Sequence, residues 1–201
     1  MVKHVLLIMV LGLVLGCTGS TNTNIVANME EINSKDAVLQ NIFSRKSVRN
    51  FTDQEVSKED LELLVKAGMA APSGKNVQPW SFVIVSDRET LDKMAEGLPY
   101  AKMLKNVKHA IIVCGDADKS SYWYLDCSAA AQNILLAAEA MGLGGTWTAA
   151  YPYDERINVV KENIGLPDNI IPLNVIPIGY PKGIEKPKDK WDSTKVHWNK
   201  Y

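Results

Sequence analysis

The sequence predicts an α+β domain over residues 41–201, with a central mixed or antiparallel sheet flanked by helices. Three observations lead there. Helical and strand periodicities both occur. They follow one another without regular βαβ alternation and without a repeat. One long alanine-rich run is apolar around most of its circumference, as a helix in the middle of a domain must be. The composition agrees: 46% of the 201 residues are apolar and 22% charged, enough for one ordinary core. Lysine plus arginine (22) nearly balances aspartate plus glutamate (23). That excludes the global positive field that draws a protein to nucleic acid, so any cationic site has to be local.

The first forty residues are a different kind of sequence. Lys3 and His4 precede an uncharged apolar run from Val5 to Leu15, the length of a signal-peptide core and too short to span a bilayer. The run ends Val14-Leu15-Gly16-Cys17, which resembles a bacterial lipobox, with Cys17 as the lipid-bearing thiol. Residues 1–16 therefore read as a signal peptide. Residues 17–40, opening on the small polar stretch Thr18 to Asn24, read as a lipidated cysteine, a tether and a lead-in. The other reading is a core helix ending in a chance cysteine. On the first reading the protein is held at the bilayer of the cell envelope through Cys17; on the second it is cytoplasmic.

Within the domain, Ala37, Val38, Ile42 and Phe43 predict a short helix ending near Ser44. Ser57 can cap a second helix, with Asp60 at the third position after it and Leu61, Leu64, Val65 and Gly68 at helical spacing before Pro72. Ser81 to Val85 is a strand by its β-branched content, and Asp87 caps a helix running through Met94 to Ala95. Ala110 to Cys114 is an apolar strand. Tyr124 to Met141 is the long alanine-rich helix, stopped by Gly142. Asn174 to Tyr180 reads as a strand whose Pro177 argues for an edge position or a bulge. The tail from Pro181 is polar but carries Trp191, Trp198 and Tyr201, aromatics that need a partner surface, for which a second subunit is the obvious candidate. Cys114 and Cys127 lie in apolar runs and read as core. With no CxxC and no histidine pair at ligand spacing among His4, His109 and His197, no metal site is expected.

Two segments carry chemistry. Arg45-Lys46-Ser47-Val48-Arg49-Asn50-Phe51 places three cations and a hydroxyl within five residues, and the arginine fork matches phosphate oxygens. A solvated basic patch is the alternative. Ala71 to Trp80 is a loop between helix and strand, stiffened by Pro72 and Pro79, that presents Ser73, Asn76 and Gln78; amides give the donors and acceptors that a heterocycle with mixed edges requires. Read blandly, it is a well-made connection.

Together the segments resemble the nitroreductase family. Its members open with an Arg-x-Ser-x-Arg type segment before a phenylalanine, as at Arg45 to Phe51. They continue with Pro-Ser-x-x-Asn-x-Gln-Pro-Trp, as at Pro72 to Trp80. Ala138 to Trp147 is similar to the family's buried helix and glycine-rich turn, and Ile178 to Pro181 with Lys186 to Lys190 to its closing segment. The resemblance implies a nitroreductase-like α+β fold, an intertwined homodimer and FMN at each of two subunit interfaces. It implies that Arg45, Lys46, Ser47 and Arg49 hold the FMN phosphate, ribityl chain or pyrimidine edge, and that Asn76 reaches the isoalloxazine from the partner subunit, with Gln78 a neighbour. Trp147, Thr148 and Ala149 would pass along the flavin, and Lys190, with Lys188, would meet the phosphate. Lysine where the family often has arginine keeps the charge and gives up bidentate geometry.

The activity so implied is ping-pong hydride transfer from NADH or NADPH through FMN to a nitroaromatic, quinone or related small aromatic acceptor. No catalytic side chain is named, because the flavin carries the chemistry. Asp126 and Ser128 flank Cys127 without a nearby histidine, so no nucleophile is read there. Glu96 to Lys108 is the candidate cover over the flavin, with Tyr100, Met103 and Leu104 as candidate ring contacts. Two alternatives stand beside this reading: a reductive dehalogenase of the iodotyrosine type, and a lipid-anchored flavoprotein that relays electrons without oxidising NAD(P)H itself. The lipobox bears on that choice, since an exported protein would meet little NAD(P)H.

Overall fold

The computed structural model describes residues 34–201; the leader and Cys17 lie outside the described residues. The chain divides into Met1–Val38 and Leu39–Tyr201, and the second unit carries the fold. Among the described residues no helix is long and apolar enough to cross a membrane.

Helix α1 covers residues 34–44 as far as it is described. Helix α2, Lys58–Met69, starts where its cap predicts: the Ser57 hydroxyl accepts from the Asp60 N–H at 3.0 Å. Strand β1 is Trp80–Val85. Helix α3, Arg88–Gly97, is capped by Asp87, whose carboxylate accepts from the Thr90 N–H at 2.8 Å, and runs past the expected end at Ala95. Strand β2, His109–Asp116, and helix α4, Trp123–Ala140, follow. Then come three elements the periodicities did not announce: the two-residue strands β3, Gly144–Gly145, and β4, Thr148–Ala149, and helix α5, Asp154–Ile164. Strand β5, Ile170–Gly179, ends the sheet.

The sheet runs β1-β2-β5-β3, with β4 also on β5, and its strand pairs are antiparallel. All of β2 is buried, so it is covered on both faces. Its side chains alternate accordingly. Ala110, Ile112 and Cys114 pack with Leu91, Met94, Leu104 and Val160. Ile111 and Val113 pack with Leu61, Leu64, Cys127 and Ile134. One face therefore carries α3 and α5, the other α2 and α4.

The proline argument for β5 needs correction. This strand is not an edge: β2 lies on one side, β3 and β4 on the other. A bulge does occur, but at Leu173, where the register with β2 shifts between Val113 and Cys114. Pro177 is tolerated for another reason. The carbonyls of Leu173 and Val175 accept from Ala150 N–H and Thr148 Oγ1, so by alternation Pro177 turns its nitrogen to the same side. There the ladder is already broken, because β3 pairs with Ile178 and Gly179 and β4 with Asn174 and Val175, leaving Thr146 and Trp147 unpaired opposite the proline. A missing donor costs nothing where no acceptor is offered.

Both cysteines are in the core as expected. Burial pushes each thiol up to about 12, helped at Cys114 by its neighbour Cys127 and at Cys127 by Asp126. In a Cys17→Ala background, Cys114 and Cys127 should therefore resist a thiol reagent in the native state at neutral pH and both react after denaturation; rapid labelling of either in the folded protein would contradict this packing. A second expectation concerns Gly144, where a Cβ would stand 2.6 Å from the side chain of Val48. Gly144→Ala should cost about 1–3 kcal/mol in urea unfolding. Combined with Val48→Ala it should cost less than the sum of the two single changes, because the clash is between those two residues.

Candidate functional site

The segment after α1 is an extended arm docked on the sheet. Ser47 bridges Gly145 in parallel, and Val48 N–H donates to the Gly145 carbonyl at 3.0 Å. Phe51 bridges Pro181, Thr52 N–H donates to Tyr180 and Lys182 N–H to Asn50. Val48 and Phe51 point inward and are buried. Alternation then turns Ser47 and Arg49 the other way, beside the chain that leaves β5.

This docking builds a cavity of about 280 Å³ whose walls come from two distant parts of the chain. Arg45, Lys46, Ser47 and Arg49 come from the arm, and Lys188 and Lys190 from the tail; Glu185 and Lys186, not singled out in the sequence, complete it. Lys186, Lys188 and Lys190 lie two apart in an extended stretch, a spacing that puts them on one side and could have flagged Lys186. Lys46 is spoken for: its ammonium meets Glu139 of α4 at 2.7 Å, with both side chains mostly buried. The Glu185 carboxylate accepts from the Arg49 backbone N–H at 3.3 Å. Among the described residues, Arg45, Arg49, Lys186, Lys188 and Lys190 form no ion pair and Glu185 is the one carboxylate in the lining, so the cavity concentrates a surplus of positive charge in a chain of net charge −1.

Arg49 belongs also to a second cavity, of about 520 Å³. Here Trp147, exposed where the ladder breaks between β3 and β4, lines one wall together with Thr148 and Ala149 of β4. Thr148 spends its hydroxyl on the Val175 carbonyl at 2.6 Å, so only the rest of the residue faces the cavity. Of the three candidate ring contacts, Tyr100 and Met103 line this cavity and Leu104 does not. Leu104 sits on the inner side of the short 3-10 helix Lys102–Lys105, fully buried in the core against the sheet, and is withdrawn as a ring contact. Arg156, from the unannounced α5, also faces the cavity.

Asn76 and Gln78 line neither cavity. Their loop is held in an unusual shape: Lys75, Asn76 and Gln78 have φ of 54°, 57° and 52°, each costing of the order of 1 kcal/mol for a residue with a side chain. Polar contacts over-determine that shape. Asp126 of α4 accepts from the Gly74 N–H at 2.9 Å, Ser73 Oγ accepts from the Gln78 N–H at 3.0 Å, and the Gln78 amide donates to the Asn76 amide oxygen at 2.9 Å. The result leaves both amides exposed and hydrogen-bonded to each other. Among the described residues no cluster of His, Cys, Asp and Glu could hold a metal ion.

Known proteins share this arrangement over most of the chain. A crystal structure of a candidate NADH dehydrogenase/NAD(P)H nitroreductase from Bacteroides thetaiotaomicron is 62% identical and superposes with a TM-score of 0.81, covering 82% of this chain and 98% of that one. A candidate NADH dehydrogenase/NAD(P)H nitroreductase of Archaeoglobus fulgidus is 42% identical over 81% of this chain and 98% of its own length. The structure of the Vibrio harveyi NADPH:FMN oxidoreductase complexed with NAD+ is 26% identical with a TM-score of 0.74, over 82% of this chain and 78% of that one. The family model described as "Nitroreductase family" matches residues 42–180, the span that runs from the end of α1 through the arm, the second cavity and the whole sheet and stops short of the tail residues of the first; the chain belongs to the nitroreductase family.

Proposed function

We propose that the protein is an FMN-dependent oxidoreductase that reduces nitroaromatic, quinone or related small aromatic acceptors with NADH or NADPH, working as an intertwined homodimer. The observation that carries this reading is a pair of cavities with Arg49 in the wall of both: a cationic one with room for a phosphate and one with room for a ring, walled by Tyr100 and Trp147. The relatives' names, which are those of NAD(P)H and flavin oxidoreductases, support it.

The residues present fit the cofactor. A phosphate dianion needs several donors and a surplus of positive charge; Arg45, Arg49, Lys188 and Lys190 supply both, with Ser47 a compact hydroxyl donor among them. Lys46, tied to Glu139, contributes charge and fixes the arm to α4. Trp147, Thr148 and Ala149 offer a flat wall to a ring. Bound FMN would supply hydride transfer between the nicotinamide and the acceptor. The chain's task is then to hold the phosphate, seat the ring and exclude water, and no side chain is assigned an acid or base role.

A second subunit completes the site in this proposal. Ile42, Phe43 and Trp191 line an apolar cavity of about 750 Å³ beside Arg45, and Trp198 and Tyr201 stand exposed on the tail. Apolar surface of that kind is what a dimer covers. Asn76 and Gln78, exposed and outside the lining of both cavities, would serve the partner's. Cys17 as the lipid-bearing residue belongs to the proposal too, on the order of basic start, apolar run and Gly-Cys junction.

Purified protein supplied with FMN should be yellow and should oxidise NADH or NADPH when given a nitroaromatic or a quinone. Arg45→Ala should weaken FMN binding by about 1.5–3 kcal/mol, the value of a charge-assisted contact; unchanged affinity in a fluorescence titration would remove Arg45 from the site. For the anchor, labelled palmitate should enter the protein in cells and be absent from Cys17→Ala; equal labelling of both would refute it.

A further inference from the structure

We propose that Arg156 determines specificity in the aromatic-walled cavity, selecting acceptors whose ring carries a carboxylate, a proposal that rests on the oxidoreductase reading above. Arg156 is in the first turn of α5, where a cation stands at the positive end of the helix dipole and gains nothing from it. What holds it there is aromatic packing: its guanidinium carbon lies 3.8 Å from the ring centre of Tyr153 and 5.3 Å from that of Tyr100.

The side chain is only 14% exposed, yet among the described residues its guanidinium donates no hydrogen bond, and its Nε is sealed from solvent without a partner. The nearest carboxylate, on the adjacent and largely exposed Glu155, is 3.8 Å from Nε, too far for a hydrogen bond. A guanidinium whose Nε is sealed from water without a hydrogen bond, and whose one carboxylate neighbour is a loose contact at 3.8 Å, is under-satisfied, and an arriving anion relieves it.

Among the described residues no carboxylate lines this cavity. Its other cations are committed elsewhere. Lys102 gives its ammonium to the carbonyls of Ala95 and Glu96 at 2.8 and 3.2 Å, and Arg49 is shared with the phosphate cavity. Arg156 is thus the cation that serves this cavity alone. Around it Tyr100, Met103 and Trp147 offer surface for a flat ring. A planar forked donor beside aromatic walls matches a planar aromatic carboxylate better than a neutral ring.

The test needs a readout apart from turnover. Calorimetric titration of the full chain, both as purified and supplied with FMN, compares benzoate with benzamide. Steady-state kinetics of the FMN-supplied protein compares 4-nitrobenzoate with 4-nitrobenzamide. Benzoate should bind about ten-fold tighter than benzamide. Arg156→Gln should abolish that preference, raising KM for 4-nitrobenzoate about ten-fold while leaving 4-nitrobenzamide within about two-fold. Arg156→Lys should keep part of the preference. Equal binding of benzoate and benzamide by the unaltered protein overturns the proposal, and does so even if the variants fail to fold. An intact preference in Arg156→Gln overturns it as well. So does a rise in KM for NADH or NADPH without one for 4-nitrobenzoate, which would make the dinucleotide phosphates the ligand of Arg156. Protein that never binds FMN sinks the flavin reading instead, while the benzoate titration of that colourless protein still reports on Arg156.

Discussion

The structure depends on one docking event: the arm from Arg45 to Thr52 lying along β3 and the end of β5. It is possible because Gly144 has no side chain, which lets Val48 close to within van der Waals contact of the sheet and leaves the Gly145 carbonyl free to accept from it. Buried Val48 and Phe51 make the docking favourable, each removing a large apolar side chain from water at about 1.5–3 kcal/mol. Everything cationic in the site follows. The same bridges that hold the arm to Tyr180 and Pro181 direct the tail back past it, so that Arg45 and Arg49 meet Lys188 and Lys190 across some 140 residues of chain.

A second constraint shapes the neighbouring cavity. Because Pro177 cannot donate, the ladder on that side of β5 needs an interruption, and Thr146 and Trp147 are that interruption. Trp147 is thereby released from pairing and becomes a wall of the ring-sized cavity. The strained loop at Lys75, Asn76 and Gln78 works differently, through Asp126, which reaches from α4 to fix Gly74. The buried helix therefore supports the amide-bearing loop as well as the core. Among the described residues the second carboxylate oxygen of Asp126 is buried without a partner, which keeps this support dependent on the shape of that one loop.

Much of this was legible in the sequence, and the rest was hidden for definite reasons. Ser57 and Asp87 announced α2 and α3 because capping is local chemistry, β2 was plain from its apolar run Ala110 to Cys114, and α4 from alanine-rich sequence apolar around most of its circumference. β3 and β4 were not readable, since two-residue strands have no period and exist only through β5. Helix α5 carried readable signals, with Asp154 and Glu155 in its first turn and Gly165 at φ 66° before Pro167, but its weak apolar stripe masked them. Arg156 was missed with it. Leu104 was misplaced because exposure on a single-turn helix cannot be read from spacing. In the site, local motifs named the arm and the loop, whereas Glu139 as the partner of Lys46 and Glu185 at Arg49 are long-range contacts with no sequence signature.

In the proposed function the arm and tail together hold the phosphate of a flavin mononucleotide. Riboflavin is the same molecule without that phosphate, so fluorescence titration of the flavin-free protein with FMN and with riboflavin isolates the contribution of the Arg45 to Lys190 cavity. The account predicts that FMN binds at least about a hundred-fold more tightly, as two or more charge-assisted contacts require. Equal affinity for the two flavins would contradict it.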